Sequence, residues 1–324
     1  MNSINNNVDV SIVIVCMNNL ENLYPCLDSI IKHTTVNYET LVVAYLFSGE
    51  NLNKLKIDYP WITIIESNEI RGFSENNNLA LRQAKGKYCF VLNDDTEILD
   101  SAIDKLVETF SMVPDNTAIV SPILLNTKWE IQVCGRPPLN WRNFILLLLH
   151  LWSESKGVYV NKTGVFQTYN IIGAAFLIKR DIFEKIGWFD EYYFFTPEDI
   201  ALSTLLNNSG YTCYVNVDCA IIHKEGLSGK PVNMIRTATN PAAYKGVIHW
   251  LANGNTVFHF FLATIFFVIF FSMYCFHKIS WLYRNKSVDK YILYMGALNV
   301  AKSIYSNQTP KEVFVKFYNE INNN

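Results

Sequence analysis

Through the first half of the chain, short apolar runs alternate with segments of helical periodicity. Val10–Cys16, Tyr38–Ala44, Trp61–Glu66, Tyr88–Leu92 and Thr117–Ser121 are strand-like. Between them, Leu20–His33, a short piece near Asn51–Lys56, Ser74–Ala84 and Asp100–Met112 have helical character, with Ser74 and Asp100 reading as helix caps. Strands alternating with helices predict an α/β architecture, a mostly parallel sheet with right-handed crossovers and helices on its faces. After Pro122 the pattern loosens and Gly135-Arg-Pro-Pro138 marks a loop. A β-prone run (Asn170–Ile178), a helix (Arg180–Ile186), a second helix (Thr196–Ser209) and strands through His223 follow.

From about Gly226 the character changes, which divides the chain into a catalytic-type domain over 1–225 and a hydrophobic helical region over 226–324. Thr256–Phe276 carries no formal charge and is dense in Phe, Ile and Leu. At a rise of about 1.5 Å per residue it reaches roughly 30 Å, enough to cross a bilayer. A buried core helix is the alternative, but Phe266-Phe-Val-Ile-Phe-Phe271 is apolar on every face. Basic residues just after the stretch (Lys278, Arg284, Lys286, Lys290) outnumber those just before it (Arg236, Lys245), which puts the C-terminal side in the cytoplasm. A single crossing then forces the N-terminal domain outside; a re-entrant or in-plane helix removes that conflict. Phe144-Ile-Leu-Leu-Leu-Leu149 is too short to span and reads as a second surface contact or as core.

Composition narrows the classes. A net charge of -2 and a pI near 6.3 give no global attraction to nucleic acid. Seven scattered cysteines without a CxxC pair fit buried thiols in a reducing compartment better than a disulfide framework or a zinc site. The polar start Met1-Asn-Ser-Ile-Asn-Asn-Asn7 has no signal-peptide pattern. The expected location is therefore the cytoplasmic face of the cell membrane, held through about 256–276.

The candidate chemistry begins at Tyr88-Cys-Phe-Val-Leu-Asn-Asp-Asp-Thr96, an apolar run that stops in adjacent carboxylates, Asp94 and Asp95. Acids at the carboxyl end of a buried strand stand where open α/β sheets hold ligands, and hard oxygen donors there suit a divalent cation and, through it, a diphosphate. Asn and Asp are equally ordinary turn residues, so a polar turn is the competing reading. In Thr196-Pro-Glu-Asp199, Thr196 reads as an N-cap, Pro197 as the first helical residue and Asp199 as its capping-box partner. Helical spacing nevertheless sets Glu198 and Asp199 beside the arc of Leu202, Leu205 and Leu206, and a carboxylate kept ionised at a helix N-terminus suits a general base. His223 ends an apolar run and opens Lys224-Glu-Gly-Leu-Ser-Gly-Lys230, a loop that with Lys230 and Arg236 can fold over a phosphate. There is neither a Walker A pattern nor a GxGxxG.

Taken in order, these segments resemble family 2 glycosyltransferases of GT-A fold, in the rhamnosyltransferase-like branch, over roughly residues 8–230. Ser11-Ile-Val-Ile-Val-Cys-Met-Asn-Asn19 resembles the first strand and its nucleotide loop; Asn68-Glu-Ile-Arg-Gly-Phe-Ser-Glu-Asn-Asn-Asn78 resembles the segment into the nucleotide-side helix. Leu92-Asn-Asp-Asp-Thr96 is similar to the family's DxD variant, and Gly173-Ala-Ala-Phe176 with Gly187-Trp-Phe-Asp-Glu191 to the acceptor-side motif. Pro197-Glu-Asp199 is similar to the acidic pair that supplies the base, and His223 with Gly226 and Ser228 to the closing ligand loop.

The resemblance implies inverting transfer of a sugar from a nucleotide-diphosphate donor to a lipid-linked or oligosaccharide acceptor in surface polysaccharide assembly, with Mg²⁺ or Mn²⁺ as cofactor. It implies Asp199 as base with Glu198 orienting it, Asp95 and His223 at the metal, and Asp94 toward ribose or the metal's surroundings. Cys16, Met17, Asn18, Ala44, Asn68, Asn78 and Asn93 fall on the donor side, Gly173, Trp188, Asp190 and Glu191 on the acceptor side, and Ser228 and Lys230 in the phosphate loop. The chain departs from the family where Ala44 replaces the Asp that reads the base, where Cys16 and Met17 replace polar residues, and where Ala201 and Leu205 replace an Asp and an Arg. A nucleotidyltransferase competes, but Cys16-Met-Asn-Asn-Leu20 lacks the glycine and base needed to hold a triphosphate. A non-catalytic membrane scaffold also competes; Ala44, Ala201 and Leu205 permit it, whereas Asp95, Asp199 and His223 argue against it.

Overall fold

The computed structural model describes residues 8–132, 134–149, 151, 162–224, 234–283 and 286–322. In chain order the first elements are β1 (Val10–Met17), α1 (Leu20–His33), β2 (Tyr38–Tyr45), α2 (Gly49–Asp58), β3 (Thr63–Ser67), α3 (Phe73–Leu81), β4 (Tyr88–Asn93) and β5 (Thr96–Ile98). Then come α4 (Ala102–Thr109), β6 (Thr117–Leu125), α5 (Trp141–Leu148), β7 (Val165–Thr168), β8 (Ala175–Lys179), α6 (Arg180–Lys185), α7 (Glu198–Asn208) and β9 (Thr212–His223). Four helices follow: α8 (Arg236–Ala252), α9 (Thr256–Tyr283), α10 (Val288–Ser303) and α11 (Pro310–Asn322).

All nine strands join one sheet in the order β3-β2-β1-β4-β8-β6-β9-β5, with β7 on β9. The β3, β2, β1 and β4 strands run parallel, so Ser67, Tyr45, Met17 and Asn93 end on one edge. β8 enters antiparallel between β4 and β6, and β6 runs parallel to β9. Buried Val, Ile, Leu and Phe of β1, β2 and β4 pack with Leu23, Leu27 and Ile30 of α1 and Ile103 and Leu106 of α4. That face explains why α1 follows its apolar periodicity over its full length.

Contacts divide the chain into two compact units. The first holds the sheet, from β1 to Glu69, Glu75–Phe189, and from Asp199 through β9. The second gathers Ile70–Ser74, Asp190–Glu198 and the chain after β9. Its small core joins Phe194, Ala238, Ala242, Val313, Phe314 and Phe317. Within it α9 buries Leu262, Ala263, Phe266 and Phe270, while Val257, Phe260, Phe261, Val268 and Phe271 are exposed. All seven cysteines are free, and six of them are buried.

Several local expectations differ from the structure. α3 starts at Phe73, so Ser74 lies inside the helix, and its hydroxyl is buried. α4 starts at Ala102 behind two consecutive left-handed residues, Asp100 and Ser101, and that turn leaves neither side chain capping. Side-chain caps are made by Asn19 on α1, Ser48 on α2, Asn140 on α5 and Ser287 on α10. The run Asn170–Ile178 splits: Asn170 makes one isolated bridge with Arg136, and the strand begins only at Ala175. Ser228 and Lys230 fall outside the described residues.

Ser11 locks the amino-terminal edge of the sheet. Its hydroxyl donates to Glu39 Oε1 on β2 (2.6 Å) and accepts from Gly86 N (2.8 Å) and Lys85 N (3.1 Å) just before β4. Gly86 sits so close that an added Cβ meets Ser11 N at 2.5 Å. Gly86→Ala is therefore expected to destabilise the protein by about 1–3 kcal/mol in urea titrations; an unchanged midpoint refutes the close packing.

Candidate active site

The acids of β4 emerge where the strand turns back on itself. Thr96 Oγ1 donates to Asn93 O (2.7 Å), closing a tight turn around Asp94 and Asp95. Thr96 then enters β5, which pairs antiparallel with β9 so that Thr96 stands opposite His223. Lys224 N donates to Asp95 O (2.9 Å), which completes the seam. The result brings His223 Nε2 to 3.5 Å from Asp95 Oδ1, with Asp95 only 4% exposed.

Gln132, beyond β6, meets the other ring nitrogen of His223: its Oε1 is 3.1 Å from Nδ1 and its Nε2 donates to His223 O at 3.0 Å. Among the described residues no group of three His, Cys, Asp or Glu side chains forms a metal cage. A carboxylate and an imidazole nitrogen side by side do fit a partly open site, in which a substrate's oxygens complete the shell of Mg²⁺ or Mn²⁺.

Asp94, half-buried, lies beside Cys16. Burial, and secondarily the charge of Asp95, raise its pKa from 3.8 to about 6, while a hydrogen bond from Cys16 works the other way. Burial and the same carboxylate push the Cys16 thiol far up, so it is a neutral donor rather than a nucleophile.

At the ends of the parallel strands, Asn18 has left-handed backbone, and its Oδ1 accepts from Ser48 N and Asn51 Nδ2, both at 3.0 Å. It therefore ties the loop after β1 to the one after β2. Met17 is exposed at the same edge, as is Asn68 just past β3. Ala44 is buried in register between Cys16 and Glu66, and Glu66 pairs with Lys56 at 2.8 Å. Asn78 is fully buried, and both ends of its amide bond the Phe189 backbone, Nδ2 to the carbonyl (2.9 Å) and Oδ1 from the amide (3.2 Å). It is a brace between α3 and the segment that follows α6.

The second acidic constellation separates into two jobs. Glu198, not Asp199, closes back on Thr196, its Oε2 accepting from Thr196 N at 2.5 Å. The helix begins one residue later than the capping-box spacing requires, so the cap falls to Glu198. Asp199 is thereby released from capping. Its Oδ1 accepts from Ile200 N (2.8 Å), and its Oδ2 accepts from Gly173 N (3.1 Å) and faces Arg136 Nη1 (3.5 Å). Glycine suits position 173, because an added Cβ would press on Asp199 Cβ at 3.3 Å. In the second unit, Asp190 Oδ1 accepts from Tyr192 N (2.9 Å), and Glu191 is exposed. Trp188 packs edge-on against Phe183.

Arg136 and Gln132 escape sequence reading because their partners lie 63 and 91 residues away. The only hint was the empty Arg position at Leu205, which signals that some other cation must reach the acid.

Comparisons with known proteins bear on the family and the fold. A family model, Glycosyl transferase family 2, matches residues 11–187. The O-antigen biosynthesis protein RfbC of Myxococcus xanthus is 24% identical over 231 residues, 68% of this chain, which spans only 16% of that relative's length. Two solved structures share the fold. GalNAc-T7 with UDP, GalNAc and Mn²⁺ has a TM-score of 0.55 at 19% identity, over 69% of this chain and 45% of that one. The mannosyltransferase PcManGT of Pyrobaculum calidifontis with GDP-Man and Mn²⁺ has a TM-score of 0.52 at 16% identity, over 98% of this chain and 81% of that one.

The raised pKa of Asp94 has a stability consequence. The fold prefers the protonated acid, so stability is present below about pH 4 and is lost as pH rises toward 6. Asp94→Asn should therefore raise the melting temperature at neutral pH by a few degrees, on the order of 1–2 kcal/mol, with the gain vanishing below pH ~4. Thermal scans across pH read this directly, and a gain independent of pH overturns it.

Proposed function

The chain belongs to glycosyl transferase family 2, and from that premise we propose that it moves a sugar from a nucleoside-diphosphate donor to a saccharide hydroxyl in surface polysaccharide assembly. It is a glycosyltransferase of GT-A fold. The observation that carries the finer reading is the placement of Asp95 against His223 at the carboxyl edge of the sheet, in the same unit as a partly buried, hydrogen-bonded Asp199. Mn²⁺ and nucleotide ligands in the two solved relatives support a donor of this class, and the O-antigen relative supports a saccharide acceptor.

Asp95 and His223 would hold the cation, Mg²⁺ or Mn²⁺, and Asp94 beside them would face ribose or the metal's surroundings. When bound, the cation neutralises charge on the departing diphosphate. Asp199 takes the proton of the acceptor hydroxyl. A carboxylate has about four acceptor positions; Ile200 N, Gly173 N and Arg136 occupy three, leaving one on Oδ1 for that proton. The acceptor oxygen bonds the anomeric carbon as the bond from that carbon to the diphosphate oxygen breaks. One base and no enzyme nucleophile suffice, so configuration inverts. Asn18, Met17 and Asn68 line the donor edge. Ala44 removes the residue that reads the base, and the neighbouring carboxylate in the sheet is Glu66.

With a panel of UDP- and dTDP-sugars, one donor should be bound and hydrolysed only with Mg²⁺ or Mn²⁺. Asp95→Ala should abolish the cation-dependent binding. Asp199→Asn should cut transfer by about 10²–10⁴-fold while donor affinity stays within about threefold. Binding of no donor, or an unaffected Asp95→Ala enzyme, sinks the reading and leaves a non-catalytic scaffold.

The second unit supports attachment to a lipid surface at the cytoplasmic face. The buried residues of α9 occupy one arc, and at 100° per residue Phe260, Phe261, Val268 and Phe271 lie on the opposite side. One covered face and one bare apolar face describe a helix lying in the interface. α5 has no fully buried residue, which supports the reading of Phe144–Leu149 as a second surface contact over the core alternative. A lipid-linked acceptor fits an enzyme docked this way. Replacing Phe261 and Phe271 together by Ser should lower vesicle partitioning by at least about tenfold, given roughly 1.5–3 kcal/mol per buried Phe; equal partitioning in flotation assays refutes the attachment.

A further inference from the structure

The hydrogen bonds around His223 determine which of its nitrogens carries a proton. Gln132 Nε2 donates to the carbonyl oxygen of His223, which can only accept. That fixes the direction of the Gln132 amide and turns Oε1 toward Nδ1, 3.1 Å away. An amide oxygen offers only lone pairs, so Nδ1 must supply the hydrogen. In the neutral ring Nε2 is then an unprotonated lone pair, aimed at Asp95 Oδ1 across 3.5 Å. Two lone pairs facing each other at that distance repel unless a positive charge sits between them. For bonds of about 2.1 Å, adjacent octahedral ligands are roughly 3 Å apart, close to the observed spacing.

Gln132 is itself firmly held. Its N–H donates to Leu124 O on β6 (2.8 Å), and its carbonyl accepts from Cys134 Sγ (3.0 Å), which in turn takes Leu124 N (3.2 Å). Burial pushes the Cys134 thiol up to about 11, so it stays a donor. A residue tied by its backbone to a central strand and by both ends of its amide to one histidine is built for orientation.

We propose that Gln132 is a positioning residue that holds His223 as the Nδ1–H tautomer and so presents Nε2 with Asp95 to a divalent cation. The proposal rests on the cation reading above and adds to it the device that makes the imidazole a ligand. Its removal releases the ring to the other tautomer, whose Nε2–H hydrogen repels a cation.

The test has a readout independent of turnover. Long-range ¹H–¹⁵N correlation on the metal-free protein, followed across pH to the neutral ring, should show His223 protonated at Nδ1. The signal is assigned by its loss in His223→Asn. Gln132→Met should shift it toward Nε2 protonation and weaken Mn²⁺ binding in the presence of UDP by about 10–100-fold. Gln132→Glu, which still accepts from Nδ1, should keep the tautomer and lose no more than about threefold in affinity. Nε2 protonation in the unaltered protein overturns the proposal even if the Met variant fails to fold. If Asp95→Ala removes Mn²⁺ binding while Gln132→Met changes neither tautomer nor affinity, the positioning role falls and the cation site stands. If Asp95→Ala leaves Mn²⁺ binding intact, the cation reading itself falls.

Discussion

The candidate site depends on the antiparallel pairing of β5, three residues long, with the end of β9. Asp95 precedes Thr96, and Thr96 stands opposite His223. A slip of one residue would carry the histidine to the other face of the sheet, because side chains alternate with period two. The tight turn closed by Thr96 Oγ1 on Asn93 O resists such a slip from one side. The amide bond from Lys224 to Asp95 O resists it from the other. Two residues far apart in sequence are therefore fixed within one contact by backbone hydrogen bonds that no side-chain chemistry would reveal.

A second backbone link joins this seam to Asp199, the proposed base. Asn93 N donates to Ala174 O at 2.9 Å, and the neighbouring Gly173 N holds Asp199 Oδ2 at 3.1 Å. The chain of bonds from His223 through Asp95 and Asn93 to Gly173 and Asp199 is almost wholly main-chain. That construction matters because a base must stay near hydrogen-bond reach of the hydroxyl it deprotonates, and small displacements are costly to rate. The antiparallel entry of β8 between β4 and β6 makes the link possible. A parallel strand there would place Gly173 and Ala174 at the opposite edge.

Sequence reading recovered what local pattern encodes. α1, the parallel strands and the stopping of β4 in acids all follow from apolar periodicity and from burial on both faces of the sheet. It failed where tertiary context overrides local chemistry. Asp100 has the right side chain for a cap, but the left-handed backbone at Asp100 and Ser101 turns the chain before the helix starts. Asn78 falls on the donor side by resemblance, whereas both ends of its amide brace the Phe189 backbone. Gln132 and Arg136 sit in a loop without periodicity, and only folding across 91 and 63 residues gives them partners. β5 is too short to register as a strand, although its pairing sets the site.

The three acids of the site are held in three different ways, and the difference accounts for their division of labour. Asp199 is satisfied by two backbone amides and an arginine, so its charge is compensated and one acceptor position stays free. Asp95 faces His223 Nε2 at 3.5 Å, and the tautomer proposed for that ring turns a lone pair toward the carboxylate, an arrangement that a positive charge between the two groups would complete. Asp94 is half-buried beside a neutral thiol and another carboxylate, and its charge is opposed by its surroundings. Neighbouring positions on one turn thus hold one acid poised for a cation and another strained toward protonation. Because like charges in a shared dry space cannot both be comfortable, a bound cation relieves both at once. The raised pKa of Asp94 and the cation proposed between Asp95 and His223 would then be two expressions of the same electrostatic imbalance.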